Sequence, residues 1–272
     1  MRLAKSLECF GSPGKTDMKA LKNIISLTLL VLLVSCGGGG WGHGGGVSAD
    51  GSTANKLLIH MDLEEMFVDD GARSLAVAAR KGNIRRVDEL VASGVNVNYV
   101  GGGGATPLLC AFKDIRGFKR LLEHGANPNA TFQDGSTLMD WAVMHEDIRF
   151  LEAALAHGGN PNLRDGGTFR STPIFTALSK GRPKIDLLIK AGADINARDR
   201  YGWSPMMSAA GRGDFEVVAT LLDYGADPTL KNHAGKTLKS IVNEMEGALI
   251  AGSDRENWRQ IVIQKLRRRG IM

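Results

Sequence analysis

The sequence predicts an all-α solenoid: helix pairs stacked side by side and joined by β-hairpin-like fingers, about five copies followed by a modified C-terminal cap. Two markers in phase carry this reading. The first, Thr106-Pro107-Leu108, recurs as Thr137-Leu138-Met139, Thr172-Pro173-Ile174, Ser204-Pro205-Met206 and Thr237-Leu238, with Arg73-Ser74-Leu75 as a degenerate first copy. Successive spacings are 33, 31, 35, 32 and 33 residues, the period of a repeat array. The second marker keeps the same beat: Gly94-Val-Asn-Val-Asn98, Gly125-Ala-Asn-Pro-Asn129, Gly158-Gly-Asn-Pro-Asn162, Gly192-Ala-Asp-Ile-Asn196 and Gly225-Ala-Asp-Pro-Thr229. A third observation bounds the class. The chain has 272 residues, 43% of them hydrophobic, 23% charged and 6% aromatic, a composition that supports a folded body and argues against wholesale disorder.

From the N-terminus, residues 1–35 read as a lipoprotein signal peptide, with Met18 the more natural start and 1–17 a surplus extension. Met18-Lys-Ala-Leu-Lys22 is basic, and the apolar stretch from Ile24 to Val34 follows it. As a helix that stretch is roughly 16 Å long, about half a bilayer core, which suits a secretory h-region and not a spanning helix. Leu33-Val34-Ser35-Cys36 resembles the lipobox of bacterial lipoproteins, which implies that Cys36 is the first mature residue and carries the acyl chains. Two or more chains anchor a protein durably. Gly37, in place of an aspartate, points under the enteric sorting rule to the periplasmic face of the outer membrane. Residues 36–52 form a glycine-rich tether reaching roughly 20–24 Å as a flexible coil. His43 within it reads as a solvated linker residue.

Residues 53–71 are expected to cap the array, with Asn55 to Phe67 as an amphipathic helix; repeats fill 72–235 and a modified repeat 236–272. Within a repeat each marker has a mechanical role. Thr or Ser caps the first helix, and proline at the next position loses nothing. The glycine of the second marker ends the second helix in the left-handed conformation. In the fifth copy Met206 to Ala210 is one helix, Gly211-Arg-Gly213 the turn, and Phe215 to Tyr224 the other. Leu121-Leu122, Leu188-Ile189 and Leu221-Leu222 form the apolar seam. The chain then runs extended to a turn carrying Gly135, Gly202 or Gly235. In the cap, Lys236 to Leu249 is expected to be helical, and Ser253 to Glu256 has capping-box spacing. Trp258, Ile261, Val262 and Leu266 supply the apolar face. Lys265 and Arg267–Arg269 complement the last turn's dipole.

These motifs resemble the ankyrin repeat. Arg198-Asp-Arg-Tyr-Gly-Trp-Ser-Pro-Met206 and Leu221-Leu-Asp-Tyr-Gly-Ala-Asp227 match its pattern closely, strongly over 72–235 and weakly beyond. The second copy is two residues short between Thr106 and Gly125. The fourth has two extra residues in its finger around Gly166 to Arg170, and the histidine usual after T-P-L is missing.

The formal charge of +5 shrinks to +2 once the signal segment's Arg2, Lys5, Lys15, Lys19 and Lys22 and its Glu8 and Asp17 are removed, leaving no footprint for nucleic acid. Cysteine arithmetic excludes a disulfide framework: Cys9 is removed, Cys36 modified, and Cys110 falls on an inner helix as a buried thiol. Gly11-Ser-Pro-Gly-Lys-Thr16 lacks the first glycine of a phosphate loop, since Cys9 stands there. The six histidines show no metal-ligand spacing, and no G-x-S-x-G elbow or acid–base pair stands out. No cofactor, metal or catalytic residue is expected, and the chain does not read as an enzyme.

The fold offers a concave surface of finger tips and inner-helix residues. The resemblance places there Phe132 and Gln133, Met144 and His145, Phe169 and Arg170, Lys180, Arg200, Tyr201 and Trp203, Arg212, and His233. Aromatics and arginine carry binding energy at interfaces; Trp203 and Phe169 packing on adjacent fingers is the competing reading, and Trp141 reads as core. The expected function is a non-enzymatic protein-binding module on a bacterial envelope. The run from Met66-Phe-Val-Asp through Gly82, with Gly158-Gly-Asn-Pro-Asn162 and Gly-Arg-Pro183, looks like the ankyrin lipoproteins that accompany type VI secretion lipase effectors, which implies an immunity protein that blocks such a lipase. The alternative is an envelope scaffold for another periplasmic protein.

Overall fold

The computed structural model describes residues 62–272. The expected signal segment, Cys36, the expected tether and residues 55–61 of the expected N-terminal helix lie outside the described residues. What is described of that helix is one turn, α1 (Leu63–Met66), capped by the Asp62 side chain. Phe67 already has extended backbone and is fully buried beside Tyr99.

Six helix pairs follow: α2 (Asp70–Arg80) with α3 (Ile84–Ala92), α4 (Pro107–Cys110) with α5 (Ile115–Glu123), α6 (Leu138–Met144) with α7 (Arg149–Ala156), α8 (Pro173–Ala177) with α9 (Arg182–Lys190), α10 (Pro205–Gly211) with α11 (Phe215–Asp223), and α12 (Leu238–Glu244) with α13 (Asp254–Arg268). First members pack against one another (α2 with α4, α6 with α8, α8 with α10, α10 with α12), as do the second members α3 with α5, α5 with α7, and α11 with α13. A single buried core therefore runs the length of the stack, from Leu75 through Leu108, Met139, Ile174, Met206 and Leu238. Cys110 lies in it, and burial pushes its thiol up to about 12, so it is a packing residue. The fingers hold no regular strand among the described residues; one antiparallel bridge joins Thr131 and Thr137.

The two markers act as the spacing requires. Thr106, Thr137, Ser204 and Thr237 accept from the amides of Leu109, Asp140, Met207 and Ser240 at 3.1–3.3 Å. Thr172 sits at the equivalent position but caps nothing, and its Oγ1 is buried without a partner. The first copy departs from its marker: Asp69, not Arg73, caps α2, so that helix begins a turn early.

At the other end of each pair, Gly94, Gly125, Gly158, Gly192 and Gly225 have φ between +83° and +92°. A Cβ built on any of them meets nothing within 4 Å, so conformation alone selects glycine. The amide of Gly225 donates to Leu222 and that of Ala226 to Leu221, a Schellman motif. The seam leucines thus supply both the apolar contact and the terminal carbonyls. Gly117 is glycine for a different reason: its Cβ would lie 1.9 Å from the Ala79 carbonyl oxygen, where α5 crosses α2.

A polar ladder joins the copies. The Asn98 side chain donates to Gly125 O (2.9 Å) and accepts from Asn127 N (2.7 Å). Asn129 does the same to Gly158 and Asn160, and Asn162 to Gly192 and Asp194. Asn196 accepts from Asp227 N. The fifth copy ends the ladder with Thr229, whose hydroxyl turns back to Asp227.

The short second copy is accommodated by a 3-10 turn, Ala111–Lys113, running straight into the Asp114 cap. The cap repeat differs from expectation in two places. α12 stops at Glu244, and Gly247 adopts positive φ. In α13 the buried stripe is Arg259, Val262, Ile263 and Leu266, while Ile261 is 37% exposed. Arg259 takes a core position because its guanidinium donates to Val242 O, at the end of α12, and pairs with Glu256. Glu256 is thereby turned from the reciprocal half of a capping box, and only the Ser253 hydroxyl caps α13. Lys184 plays a similar part: buried in α9, it donates to the carbonyls of Val143, in the last turn of α6, and His145, just beyond it, and its pKa is lowered by desolvation.

Candidate functional site: the finger edge

Each finger is a tight turn held by its own acid or amide. Asp134 accepts from the Ser136 amide, Asp165 from Gly167 and Ser171, Asp199 from Tyr201 and Trp203, and Asn232 from Ala234 and Lys236. One backbone hydrogen bond links each finger to the next: Gln133 N to Gly103 O (3.2 Å), Gly166 N to Gly135 O (2.7 Å), Arg200 N to Phe169 O (2.7 Å) and His233 N to Tyr201 O (3.0 Å). Arg164 reinforces this by donating to the carbonyls of Arg170 and Arg198, and Arg198 in turn donates to Lys231 O. The tips therefore form a continuous, preorganised edge.

The residues expected on the concave face divide into two groups. Phe169, Arg170, Arg200, Tyr201 and His233 come together on adjacent fingers. Arg170, Arg200 and His233 are exposed, Tyr201 is 47% exposed, and the Phe169 and Tyr201 rings pair edge-on at 5.8 Å. Phe132 and Gln133 occupy an earlier finger, Phe132 half-buried against the core and Gln133 exposed. Trp203 is half-buried, its ring lying over Gly211, so it braces the finger against α10.

Met144 ends α6, and His145, Lys180 and Arg212 follow the C-terminal ends of α6, α8 and α10, the ends opposite to those the fingers lead into. His145 is committed to packing: it stacks on Phe112 at 5.8 Å, meets Phe150 at 4.2 Å, and its Nδ1 accepts from the Asp147 amide. Burial, with the Lys184 ammonium nearby, holds its imidazole below the usual histidine range. Arg212 is paired with Asp214 at 3.1 Å. Trp141 donates from its indole to the Ser136 hydroxyl and packs on the core.

On the outer helices, acids bridge neighbouring copies. Asp88 receives Arg120 at 2.5 Å and His124 at 2.7 Å, and these hydrogen bonds hold its carboxyl below the usual range. The Tyr224 hydroxyl donates to Asp186 (2.8 Å), and Lys265 meets Asp223. These contacts stiffen the array; they converge on no common point. Among the described residues, no group of three or more His, Cys, Asp or Glu is placed to hold a metal ion.

Sequence reasoning missed one feature of this edge. Gly104, Gly135, Gly202 and Gly235 each stand two residues before a helix cap, with φ between +76° and +84°. Arg170 stands two residues before Thr172 and has φ +49°, the one positive value at a non-glycine position among the described residues. An arginine thus occupies a turn position that glycine fills in the other fingers, at a cost on the order of 1 kcal/mol.

Comparison with known proteins agrees with this architecture. Residues 138–232 match the family model for ankyrin repeats, in 3 copies. A putative ankyrin repeat protein of Rickettsia bellii is 31% identical over 148 residues, covering 51% of this chain and 57% of the relative. The putative ankyrin repeat protein YahD of Escherichia coli is 27% identical over 177 residues, 62% of this chain and 87% of the relative. A palmitoyltransferase, AKR1 of Lachancea kluyveri, is 26% identical over 212 residues, 74% of this chain but 29% of its own length. The chain therefore spans less than two thirds of the Rickettsia and Lachancea relatives.

Proposed function

We propose that this ankyrin-repeat protein is a non-enzymatic protein-binding module, held to the periplasmic face of the outer membrane through acyl chains on Cys36, and that it acts as an immunity protein against a secreted lipase. The observation that carries the binding reading is the finger edge. Arg170, Arg200 and Tyr201 stand exposed on a frame whose backbone is already fixed by finger-to-finger hydrogen bonds. Such a frame loses little further entropy when a partner docks. Ankyrin repeats elsewhere serve as protein-interaction modules, and the acids of these fingers are consumed in turn formation.

The anchor and the immunity role are supported by sequence alone, by the segment ending in Cys36 and by the resemblance to ankyrin lipoproteins beside lipase effectors. A tether there places the inhibitor next to the lipids under attack. Pull-down from membrane extract with wild type and a Tyr201→Ala/Trp203→Ala variant tests the binding reading; unchanged recovery of partner by the variant contradicts it. Cys36→Ser tests the anchor: the variant should leave the membrane fraction. Co-expression with a lipase encoded in a neighbouring reading frame should abolish the lipase's toxicity, and toxicity that persists counts against immunity.

A further inference from the structure

Charge is distributed unevenly along the finger edge. The fingers at 96–105 and 130–136 carry one charged residue, Asp134. Those at 163–171, 197–203 and 230–236 carry Arg164, Arg170, Arg198, Arg200, Lys231 and Lys236 against Asp165 and Asp199. The two acids are turned inward, each accepting backbone amides of its own finger. Lys236 is paired with Glu244 at 2.7 Å. Arg170, Arg200 and Lys231 are exposed, and no side-chain acceptor among the described residues meets any of the three cationic groups. Successive tips are tied by the Arg200–Phe169 and His233–Tyr201 backbone bonds, so these cations and the Phe169–Tyr201 pair share one edge.

Arg170 adds an independent observation. Its backbone adopts the left-handed turn that glycine adopts at four equivalent positions. A residue held in a conformation it disfavours is expected where its side chain is needed. Glycine there would relieve the turn and discard the charge.

We infer that the edge formed by the last three fingers binds an acidic segment of a partner protein, with Arg170 and Arg200 as the carboxylate-binding groups and the Phe169–Tyr201 pair as the apolar contact between them. Guanidinium groups match carboxylates in a two-pronged geometry, and the exposed ring of Tyr201 suits a chain that brings apolar side chains beside its acids. Nucleic acid fits less well: the charge is confined to three fingers on a nearly neutral body, too short a run for a phosphate backbone. The inference deepens the protein-binding reading above and does not depend on the anchor.

The test uses the full-length chain, with a labelled peptide of glutamates interspersed with leucine as probe, and anionic phosphatidylglycerol vesicles and a DNA duplex as the competing anions. Wild type should bind the peptide more tightly than either competitor, and salt should weaken that binding. Arg170→Gly and Arg170→Ala should each lose at least threefold in affinity. Arg170→Gly alone should also melt about 2 °C higher than wild type, because glycine relieves the turn and alanine does not. Vesicles or duplex bound in preference to the peptide would overturn the inference, as would equal peptide affinity in the Arg170→Gly variant. A melting temperature for Arg170→Gly at or below that of Arg170→Ala would show that the turn is not strained. If the pull-down partner is recovered equally by wild type and Arg170→Gly, the protein-binding reading stands and this edge is not its site.

Discussion

The side-chain amide of Asn129 donates to the carbonyl of Gly158, 2.9 Å away and in the next copy of the repeat. Its oxygen meanwhile accepts from Asn160 N at 2.7 Å. One residue thus ties the left-handed end of α7 to the loop after α5. Asn98 and Asn162 repeat the arrangement. In a solenoid each copy touches only its neighbours, so stability depends on interfaces of this kind.

Asn129→Ala removes one donor and one acceptor and leaves their backbone partners to water. The expected loss is about 1–2 kcal/mol, read as a lower denaturant midpoint. The same change at Thr229, where the ladder ends, should cost well under half as much. Equal losses at the two positions would mean that the ladder is not an inter-repeat staple.

Two glycines should respond differently to alanine. Gly125→Ala meets no atom within 4 Å but forces a Cβ into φ +83°, costing on the order of 1 kcal/mol. Gly117→Ala drives its methyl into the Ala79 carbonyl, and α5 must shift from α2, at about 2–3 kcal/mol. Thermal unfolding of both variants checks the order; a milder effect at Gly117 would contradict the close crossing of the two helices.

Thr137→Val and Thr172→Val are chemically the same change at equivalent positions. The Thr137 hydroxyl caps α6 through the Asp140 amide, so valine there should cost about 1 kcal/mol. The Thr172 hydroxyl is buried with no partner, so valine should be neutral or stabilising. Calorimetry on the pair decides the matter, and a comparable loss at Thr172 would show that its hydroxyl does cap α8.

Acidification should weaken the array through His145. Its folded imidazole titrates below the usual value of 6.5 because it is buried. The unfolded chain therefore takes up the proton first, and stability falls as pH drops through about 6.5. The paired carboxylates of Asp88, Asp114 and Asp147 are held below the ordinary range, so their contribution persists throughout that window and is lost only below about pH 4. Asp140, whose carboxyl burial pushes up, works in the opposite sense. Comparing wild type with His145→Asn isolates the histidine: the variant's melting temperature should depend less on pH between about 5 and 7. Identical slopes would remove His145 from the explanation.

Most of the fold is written in local chemistry. The caps and terminal glycines are fixed by backbone needs that recur every copy, and the fifth pair falls within a residue of its expected bounds. Failures arose where a charged side chain does a core residue's work. Arg259 and Lys184 occupy buried stripes because backbone carbonyls receive them, and a pattern that counts only apolar residues assigns Ile261 where Ile263 belongs. At the finger edge the structure leaves Arg170, Arg200 and Tyr201 exposed. Residue types alone did not separate the fingers from the ends of the inner helices, where His145 packs on Phe112 and Phe150 and Arg212 pairs with Asp214. Arg170 was hidden by the two extra residues in its finger: counted forward from Asn162 it has no counterpart, but counted back from Thr172 it aligns with Gly135, Gly202 and Gly235.

The most direct measurement is hydrogen–deuterium exchange on the full-length chain, alone and with the protein recovered in the pull-down. The finger edge should gain protection at 163–171, 197–203 and 230–236, with the outer helices α3, α5 and α7 unchanged. Protection confined to those outer helices, with the fingers exchanging as in the free chain, would contradict a partner-binding finger edge.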